Sequence, residues 1–392
     1  MIPHYVGLLD DDGQPVAAAL LLERKPPFFP AYLYSPRGFV LDFSDDMLLN
    51  TFTDGVREFA RSRRAMFVAL DPDIELWEID ERALPISGGF DHHDLIRRMA
   101  ALGYHHRGFN REFEGRQPRF TFRIDLSREQ SDIDRGIVGN VLKNVRKSQR
   151  YATEVTLGDS GDIGELSRLV HLTGERDEFV GYDEPYYQNF YDILSSHGMA
   201  LLFLGRVDPV ETVEKLRLEK LLVQNRRETL KKPGPIEESL LSEQRLNREI
   251  DIFQQYAKEF GGPAVISAHL LVVYGDKAWA VHAGSDKRMS ESFINNSVYY
   301  RKICEAKQRG ALQFDQFGTT GNPDTSRLHT LHAFKRQFGG RYMEFVGEFD
   351  LILRPLWFFV YEKLLPLYRN VRISLHLRRQ RKPSAAGTSP SH

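Results

Sequence analysis

Cysteine is almost absent from this sequence: the 392 residues contain one, Cys304. An intrachain disulfide and a zinc site built from several thiolates are therefore excluded, and such sparse cysteine is typical of a reducing compartment. Long apolar runs are missing too, since no stretch approaches the roughly 20 apolar residues that a membrane-spanning helix needs. The opening residues lack the regions of a signal peptide, and acidic residues interrupt them at 10–12. We therefore expect a cytoplasmic protein.

Motifs of several enzyme classes are missing as well. The sequence has no Walker-type glycine loop, no G-x-S-x-G turn and no glycine loop of the kind that binds the pyrophosphate of coenzyme A. The adjacent pairs His92-His93 and His105-His106 would point to opposite faces of a strand, so they are poor joint metal ligands. Neither a metal site nor a bound cofactor is predicted.

The residues that are present suit a globular chain of two domains, with 41% hydrophobic and 27% charged residues. Strand-like alternation and helical spacing succeed one another along most of the chain, which predicts a mixed α/β (α+β) fold. Between 209 and 262 the composition changes to Glu, Lys, Leu, Gln and Arg, with a break at Lys232-Pro233-Gly234-Pro235. Because Pro and Gly stop helices, this segment predicts two antiparallel helices inserted between strands of one domain.

Four basic residues recur at helical spacing: Lys143, Arg146, Lys147 and Arg150. This spacing predicts one cationic helix face. An anionic partner such as a phosphate backbone would offset the repulsion among these charges. A solvated face screened by salt also explains the pattern, and the spacing does not distinguish tRNA from a pyrophosphate.

The C-terminal region combines an aromatic, apolar stretch from Trp357 to Leu367 with a basic one. From Lys363 to Lys382 there are seven Lys or Arg residues and no Asp or Glu. This combination is typical of a surface that lies on anionic lipid. A C-terminal helix packed on the core explains it equally well.

A further helix is predicted to end at Gly339-Gly340, with Lys335 close to that end. The helix dipole favours a cation there, so a stabilising role explains Lys335 without any function.

Several short motifs, taken in order, resemble the FemABX family, which includes the MurM-type enzymes that build peptidoglycan cross-bridges. The strongest match is Phe334-Lys335-Arg336-Gln337-Phe338-Gly339-Gly340. The other motifs are each weak alone: Tyr34-Ser35-Pro36-Arg37-Gly38, Gly103-Tyr104, Gln117-Pro118-Arg119 with Ile124-Asp125-Leu126, the basic helix, Tyr186-Tyr187 and Ala283-Gly284-Ser285. One departure is Tyr182, which stands where many members have an arginine.

The resemblance implies two GNAT-like domains with a coiled-coil arm inserted in the second. We expect the first domain at 1–152 and the second at 153–209 and 263–355. The arm is expected at 210–262, and an amphipathic basic helix with a disordered tail at 356–392.

The resemblance also implies a function: transfer of an amino acid from aminoacyl-tRNA to the side-chain amine of the third stem residue of a peptidoglycan precursor. Members that carry the arm generally act on lipid II, and the armless type uses the soluble UDP-MurNAc-pentapeptide. No cofactor beyond the aminoacyl-tRNA co-substrate is expected. The protein would work in the cytoplasm, with peripheral contact to the inner face of the plasma membrane. Two alternatives stay open: a catalytically weak relative that binds tRNA or precursor, and a coenzyme-A-dependent N-acyltransferase.

Site residues follow from the same resemblance. Lys335 aligns with the lysine at the family's reaction centre, where a cation stabilises an oxyanion. Phe334 lies beside it, and Asp315 or Glu348 is a candidate proton acceptor. The expected substrate-binding residues are Arg37, Tyr104, Tyr186, Tyr187, His282 and Ser285, and the expected tRNA- or phosphate-binding residues are Lys143, Arg146, Lys147 and Arg150.

Overall fold

The computed structural model describes residues 1–364 as a mixed α/β protein. The strands of this part are β1 (Ile2–Leu9), β2 (Pro15–Arg24), β3 (Tyr32–Ser35), β4 (Phe67–Leu70), β5 (Glu75–Trp77), β6 (Tyr104–His106), β7 (Phe120–Asp125), β8 (Thr153–Gly158), β9 (Ala200–Val207), β10 (Ala264–Tyr274), β11 (Lys277–Ser285), β12 (Gln313–Asp315), β13 (Arg341–Phe345) and β14 (Phe349–Ile352). The α-helices are α1 (Asp46–Ser62), α2 (His93–Ala101), α3 (Gln130–Gly136), α4 (Val141–Ser148), α5 (Ile163–Asp177), α6 (Glu184–Ser195), α7 (Pro209–Glu228), α8 (Pro233–Phe260), α9 (Ile294–Gln308) and α10 (His329–Gln337), with a further helical segment at 355–364. The mixed α/β class predicted from the sequence is confirmed.

The chain forms two compact units. Within the described residues, unit 1 contains Met1–Asp80, Leu84–Arg119 and 344–364. Its sheet has the order β1-β2-β3-β4-β14-β6, in which β3 and β4 are parallel and the other neighbours antiparallel. Helices α1 and α2 bury apolar side chains at helical spacing against this sheet, among them Leu49, Phe52, Val56, Leu95 and Met99.

Unit 2 contains Glu81–Ala83 and Phe120–Met343, with strands in the order β7-β12-β11-β10-β9-β8. Both faces of this sheet are covered, and β9 shows how. Leu201 and Phe203 belong to a cluster with side chains of α9, whereas Leu202 and Leu204 belong to a cluster with side chains of α5 and α6. The α9 face and the α5–α6 face of this sheet are therefore two separate apolar layers.

The compact units do not coincide with the predicted domain bounds. Strand β7, expected in the first domain (1–152), pairs with β12 in unit 2, where Ile124 faces Phe314. Strand β14, expected in the second domain (263–355), lies between β4 and β6 in unit 1, where Phe349 faces both Leu70 and His106. The alternation at 120–126 predicts β7 as a strand, whereas no pattern predicts β14. A pattern within one strand also does not specify a partner far away in the chain.

The helical arm is confirmed. Helices α7 and α8 are joined by a short link at 229–232 and lie between the antiparallel neighbours β9 and β10. They pack antiparallel, because Glu243 of α8 contacts both Gln224 and Arg227 of α7. Helix α8 ends at Gly261, whose left-handed backbone (φ 72°) is the usual helix C-cap.

Only part of the predicted C-terminal segment (356–392) lies within the described residues. That part is helical up to 364 and belongs to unit 1, and the predicted disordered tail lies outside the described residues. Within 1–364, every helix is too short or too polar to cross a membrane.

Candidate functional site

The amine of Lys335 is buried in unit 2, with the side chain 9% exposed. Its Nζ donates hydrogen bonds to two successive backbone carbonyls, at 2.6 Å to Gly318 O and 3.0 Å to Phe317 O. The ammonium therefore does not point into bulk solvent. Phe334, its neighbour on α10, packs edge-on against Tyr299 at 5.3 Å between ring centroids.

The glycine pair after α10 lets the chain turn tightly beside Lys335. Gly339 and Gly340 both have left-handed backbones, with φ of 79° and 92°. A Cβ at Gly339 would lie 2.5 Å from Gly136 O, and one at Gly340 would lie 2.7 Å from Arg123 O. Any other residue would be strained and would overlap backbone at both positions.

Asp315 shapes the turn that presents the two carbonyls to Lys335. Its Oδ1 accepts hydrogen bonds from the Thr121 hydroxyl at 2.6 Å and from Phe317 N at 2.7 Å. Its Oδ2 accepts one from Arg123 Nε at 2.8 Å. Phe317, in the turn, has a left-handed backbone with φ of 60°. These contacts occupy the carboxylate, so the geometry favours a positioning role for Asp315 over proton acceptance. Glu348, in unit 1, is likewise held by Arg116 at 2.6 Å.

Burial lowers the pKa of Lys335 to about 7, and the charge of Asp315 opposes part of this shift. Close to neutral pH, the amine therefore exchanges between its charged and neutral forms. A cation here is held by carbonyl dipoles in a buried setting, where its electrostatic effect on a developing negative charge is stronger than in water.

Lys302 of α9 is a second buried lysine in unit 2, and it interacts electrostatically with Lys335. Its Nζ has no hydrogen-bond partner among the described residues and lies 4.1 Å from the centroid of the Tyr299 ring. Burial, and secondarily the charge of Lys335, lower its pKa well below the usual value. The neighbouring His269 is also fully buried, and its Nδ1 has no partner within the same described part of the chain.

An aromatic cage surrounds His282 on the other face of the sheet. We define it as Tyr182, Tyr186, Tyr187 and Phe190, whose ring centroids lie 6.1, 6.1, 5.1 and 5.6 Å from that of His282. Tyr182 and Tyr186 stack on each other at 3.9 Å and are 60% and 36% exposed. Burial lowers the pKa of His282 to about 4, so the imidazole is neutral near pH 7.

The structure thus divides the predicted unit 2 residues into separate groups. Phe334 packs with the α9 face, whereas Tyr187 of the cage packs with the α5–α6 face. Ser285 lies at the end of β11, where its carbonyl accepts hydrogen bonds from Thr173 and Arg176 of α5. The structure brings together Lys335, Phe334 and Asp315. A second group, at a different position in unit 2, contains Tyr186, Tyr187 and His282.

The predicted cationic helix face needs a correction. Helix α4 ends at Ser148, so Arg150 lies beyond it. Arg150 pairs with Glu219 at 2.9 Å and with Glu249 at 3.4 Å, both on the arm. Lys147 lies 3.8 Å from Glu249. Two of the four cations are therefore matched by carboxylates, while Lys143 and Arg146 are exposed.

The two predicted substrate-binding residues of unit 1 are held by their own unit. The guanidinium of Arg37 donates a hydrogen bond to Pro118 O at 2.9 Å and lies 4.2 Å from the centroid of the Phe345 ring. Tyr104 is buried, and its hydroxyl lies 3.3 Å from that of Thr53. This geometry gives both side chains a packing role and lends no support to substrate contact.

A family model matches this chain over residues 2–365, which is nearly all of the described part: the FemAB family. The chain belongs to the FemAB family.

Among curated proteins, this FemAB member is similar to the lipid II:glycine glycyltransferase of Staphylococcus aureus, with 28% identity over 390 residues. The match covers 95% of this chain and 89% of that protein. The corresponding protein of strain USA300 is 27% identical over the same length.

Among solved structures, the chain is similar to FemX, with 27% sequence identity and a TM-score of 0.73. The match covers 93% of this chain and 90% of FemX. The likeness extends over both units and confirms the predicted fold.

Some notable residues of this FemAB member were missed by the sequence analysis, above all Lys302. The signal was present: Lys302 follows Val298 by four positions and precedes Ile303 and Ala306, so it stands on the apolar stripe of a helix. The motif Ala283-Gly284-Ser285 was noticed, but not its physical reason. A Cβ at Gly284 would overlap the backbone of Leu169, so only glycine allows β11 and α5 to approach this closely.

Proposed function

We propose that this protein transfers an amino acid from aminoacyl-tRNA to the side-chain amine of the third stem residue of a peptidoglycan precursor, with lipid II as the preferred acceptor. Two observations support the proposal. Relatives that match almost the whole chain are named lipid II:glycine glycyltransferases. The observation that carries the mechanism is the buried amine of Lys335, held by two carbonyls in the strongest family motif.

In the proposed reaction, the neutral acceptor amine attacks the carbonyl carbon of the aminoacyl ester. A C–N bond forms, the ester C–O bond breaks, and the ribose hydroxyl leaves with a proton. Protonated Lys335 stabilises the oxyanion of the tetrahedral intermediate, a contribution of about 3–4 kcal/mol for one such interaction. The acceptor amine, with an ordinary pKa of about 10.4, has lost its proton before it attacks. No bound cofactor is required.

The remaining predicted residues have roles in binding. The stacked pair of Tyr182 and Tyr186, which is partly exposed, suits contact with a planar or sugar ring of a substrate. Lys143 and Arg146 suit a phosphate of the tRNA, since the other two cations of that stretch are matched by arm carboxylates. The C-terminal segment contacts the inner face of the membrane, where a lipid-linked precursor is found.

A transfer assay tests this proposal. The purified chain is incubated with lipid II in detergent micelles and with tRNA carrying labelled glycine, alanine or serine. We expect labelled precursor with one of these tRNAs, and no product when the charged tRNA is treated with ribonuclease beforehand.

Two outcomes would contradict the proposal. Product formation from an acyl-coenzyme A after ribonuclease treatment would show a different donor. Binding of tRNA and precursor without transfer of any of the three amino acids would show a binding protein.

A further inference from the structure

Phe28 is an apolar side chain placed almost entirely in solvent. It lies in the loop between β2 and β3, within Lys25-Pro26-Pro27-Phe28-Phe29-Pro30, and is 96% exposed. Its backbone is left-handed, with φ of 68°, a conformation that bulky residues rarely adopt. The turn is closed by a hydrogen bond of 3.3 Å from Phe29 N to Pro26 O. The loop therefore presents Phe28 outward instead of folding it into the core.

The helical segment 355–364 packs on the core, as one of the two alternatives predicted, and it also exposes apolar residues on its other side. Phe358 and Tyr361 face the unit 1 sheet, and the Phe358 ring lies 5.1 Å from that of Phe67. The other side of the segment exposes four large apolar side chains: Leu356 at 75%, Phe359 at 60%, Leu364 at 47% and Trp357 at 41%.

The loop and the helical segment form one surface. Phe29, next to Phe28, contacts Trp357 at 6.4 Å and Tyr361 at 5.4 Å between ring centroids. We call the exposed side chains of Phe28, Leu356, Trp357, Phe359 and Leu364 the aromatic surface. Exposed apolar side chains grouped on neighbouring elements in this way mark an interaction site in a protein that folds in water.

The charges around the aromatic surface point to an anionic partner. Lys25 stands in the loop, Arg354 precedes the helical segment, and Lys363 lies 5.6 Å from the Phe359 ring centroid. The acidic residue of the segment, Glu362, is occupied by Arg107 at 2.6 Å. Beyond the described residues, the sequence to Lys382 adds only basic charges. Trp and Phe at the centre with Lys and Arg at the edge match the interfacial region of an anionic bilayer.

We propose that the aromatic surface docks this protein on an anionic lipid bilayer, with Phe28 inserted between headgroups beside Trp357. This deepens the proposed function and rests on it only for its purpose, which is to hold the enzyme where a lipid-linked acceptor lies. Docking itself needs neither tRNA nor precursor. It can therefore be measured separately from transfer.

Co-sedimentation with vesicles tests the docking. The full chain is mixed with vesicles of phosphatidylglycerol and phosphatidylcholine, or of phosphatidylcholine alone. We expect stronger binding to the anionic vesicles, and Phe28→Ala should weaken it about tenfold through the loss of buried apolar area. Lys25→Gln should weaken it about fivefold. Tyr5→Ala, which removes an 84% exposed aromatic side chain on β1, is the matched control and should bind as the wild type does.

Insertion is tested by fluorescence, with Phe28→Trp and the control Tyr5→Trp carrying the same three native tryptophans. We expect anionic vesicles to shift the emission of Phe28→Trp to shorter wavelength beyond the change seen with Tyr5→Trp. Three results would overturn the proposal: no vesicle binding by the wild type, equal binding by Phe28→Ala, or a self-association that Phe28→Ala abolishes while vesicles do not bind. In each case, transfer to a precursor in detergent micelles would still report on the proposed function.

Discussion

Lys335 and Lys302 are both buried in unit 2, yet their surroundings differ. Lys335 donates hydrogen bonds to two carbonyls and has a pKa of about 7. Lys302 has an aromatic ring but no hydrogen-bond partner among the described residues, and burial lowers its pKa well below the usual value. The contrast teaches that burial disfavours the charge of both lysines, whereas Lys335 also has two carbonyl oxygens and the charge of Asp315 to stabilise a buried cation. Only the partnered lysine is suited to act as a cation.

The largest effect is expected from replacing Lys302, whose amine has no hydrogen-bond partner within residues 1–364. Methionine fills a similar volume and needs no hydrogen bond. A buried amine without a hydrogen bond costs free energy in the folded state, so Lys302→Met should raise the free energy of unfolding by about 3–5 kcal/mol. Transfer activity should stay within about threefold of the wild type, because Lys302 takes no part in the proposed reaction. Urea denaturation followed by circular dichroism measures the stability. A destabilised Lys302→Met variant would show that the amine has a partner that matters.

Replacing Lys335, whose amine donates hydrogen bonds to two carbonyls, should lower the transfer activity. Lys335→Met removes the oxyanion stabilisation, so the transfer rate should fall by about 10²–10³. Single-turnover transfer to lipid II, with tRNA and lipid II binding measured in parallel, checks this. Unchanged binding with a lost rate would support a role at the reaction centre. If the rate stays within tenfold of the wild-type rate, Lys335 is a structural residue and takes no part in the reaction.

The pH dependence of stability tests whether folding lowers the pKa of Lys302. The pKa of Lys302 is lower in the folded chain than in the unfolded chain, so the unfolded state binds the extra proton between the two values. The cost of burying Lys302 is therefore greatest at low pH and shrinks as pH rises. The advantage of Lys302→Met should fall between pH 7 and 9, by at most about 1.4 kcal/mol per pH unit. An advantage that does not change over this range would mean that Lys302 is not neutralised by folding.

A smaller effect, on tRNA binding, is expected at the surface, where Lys143 is exposed and Arg150 is paired with carboxylates. Lys143→Gln should weaken tRNA binding a few-fold at about 0.1 M salt. It should also lower the salt dependence of binding, because about one counterion fewer is released. Arg150→Gln should leave that salt dependence unchanged, because Glu219 and Glu249 already match the charge of Arg150. Filter binding over a salt series distinguishes the two variants. An equal salt dependence of tRNA binding for the two variants would contradict the proposed difference between Lys143 and Arg150.

Local patterns predicted much of the fold. The arm, the β10–β11 hairpin and the helix that carries Lys335 follow from helical spacing, alternation and Gly or Pro breaks within about 30 residues. The compact units could not be predicted in the same way. The places of β7 and β14 depend on strand pairing across large sequence separations, which no local pattern contains.

A site residue could be predicted from the sequence where it belongs to a family motif. Contacts that depend on three-dimensional packing could not be predicted in this way. The motif identified Lys335, but not the carbonyls of Phe317 and Gly318 that hold its amine. Helical spacing continued the basic stretch to Arg150, although the helix ends at Ser148. No sequence pattern singles out Phe28, because exposure depends on what surrounds a side chain and not on its type.

The most direct test of the central claim is the pH dependence of single-turnover transfer between pH 6 and 9. If protonated Lys335 and a neutral acceptor amine are both required, the wild-type rate should rise about tenfold per pH unit below pH 7 and level off above it. Lys335→Met should be slower and should keep rising across the whole range. A wild-type rate that also keeps rising above pH 7 would contradict a catalytic role for the charged form of Lys335.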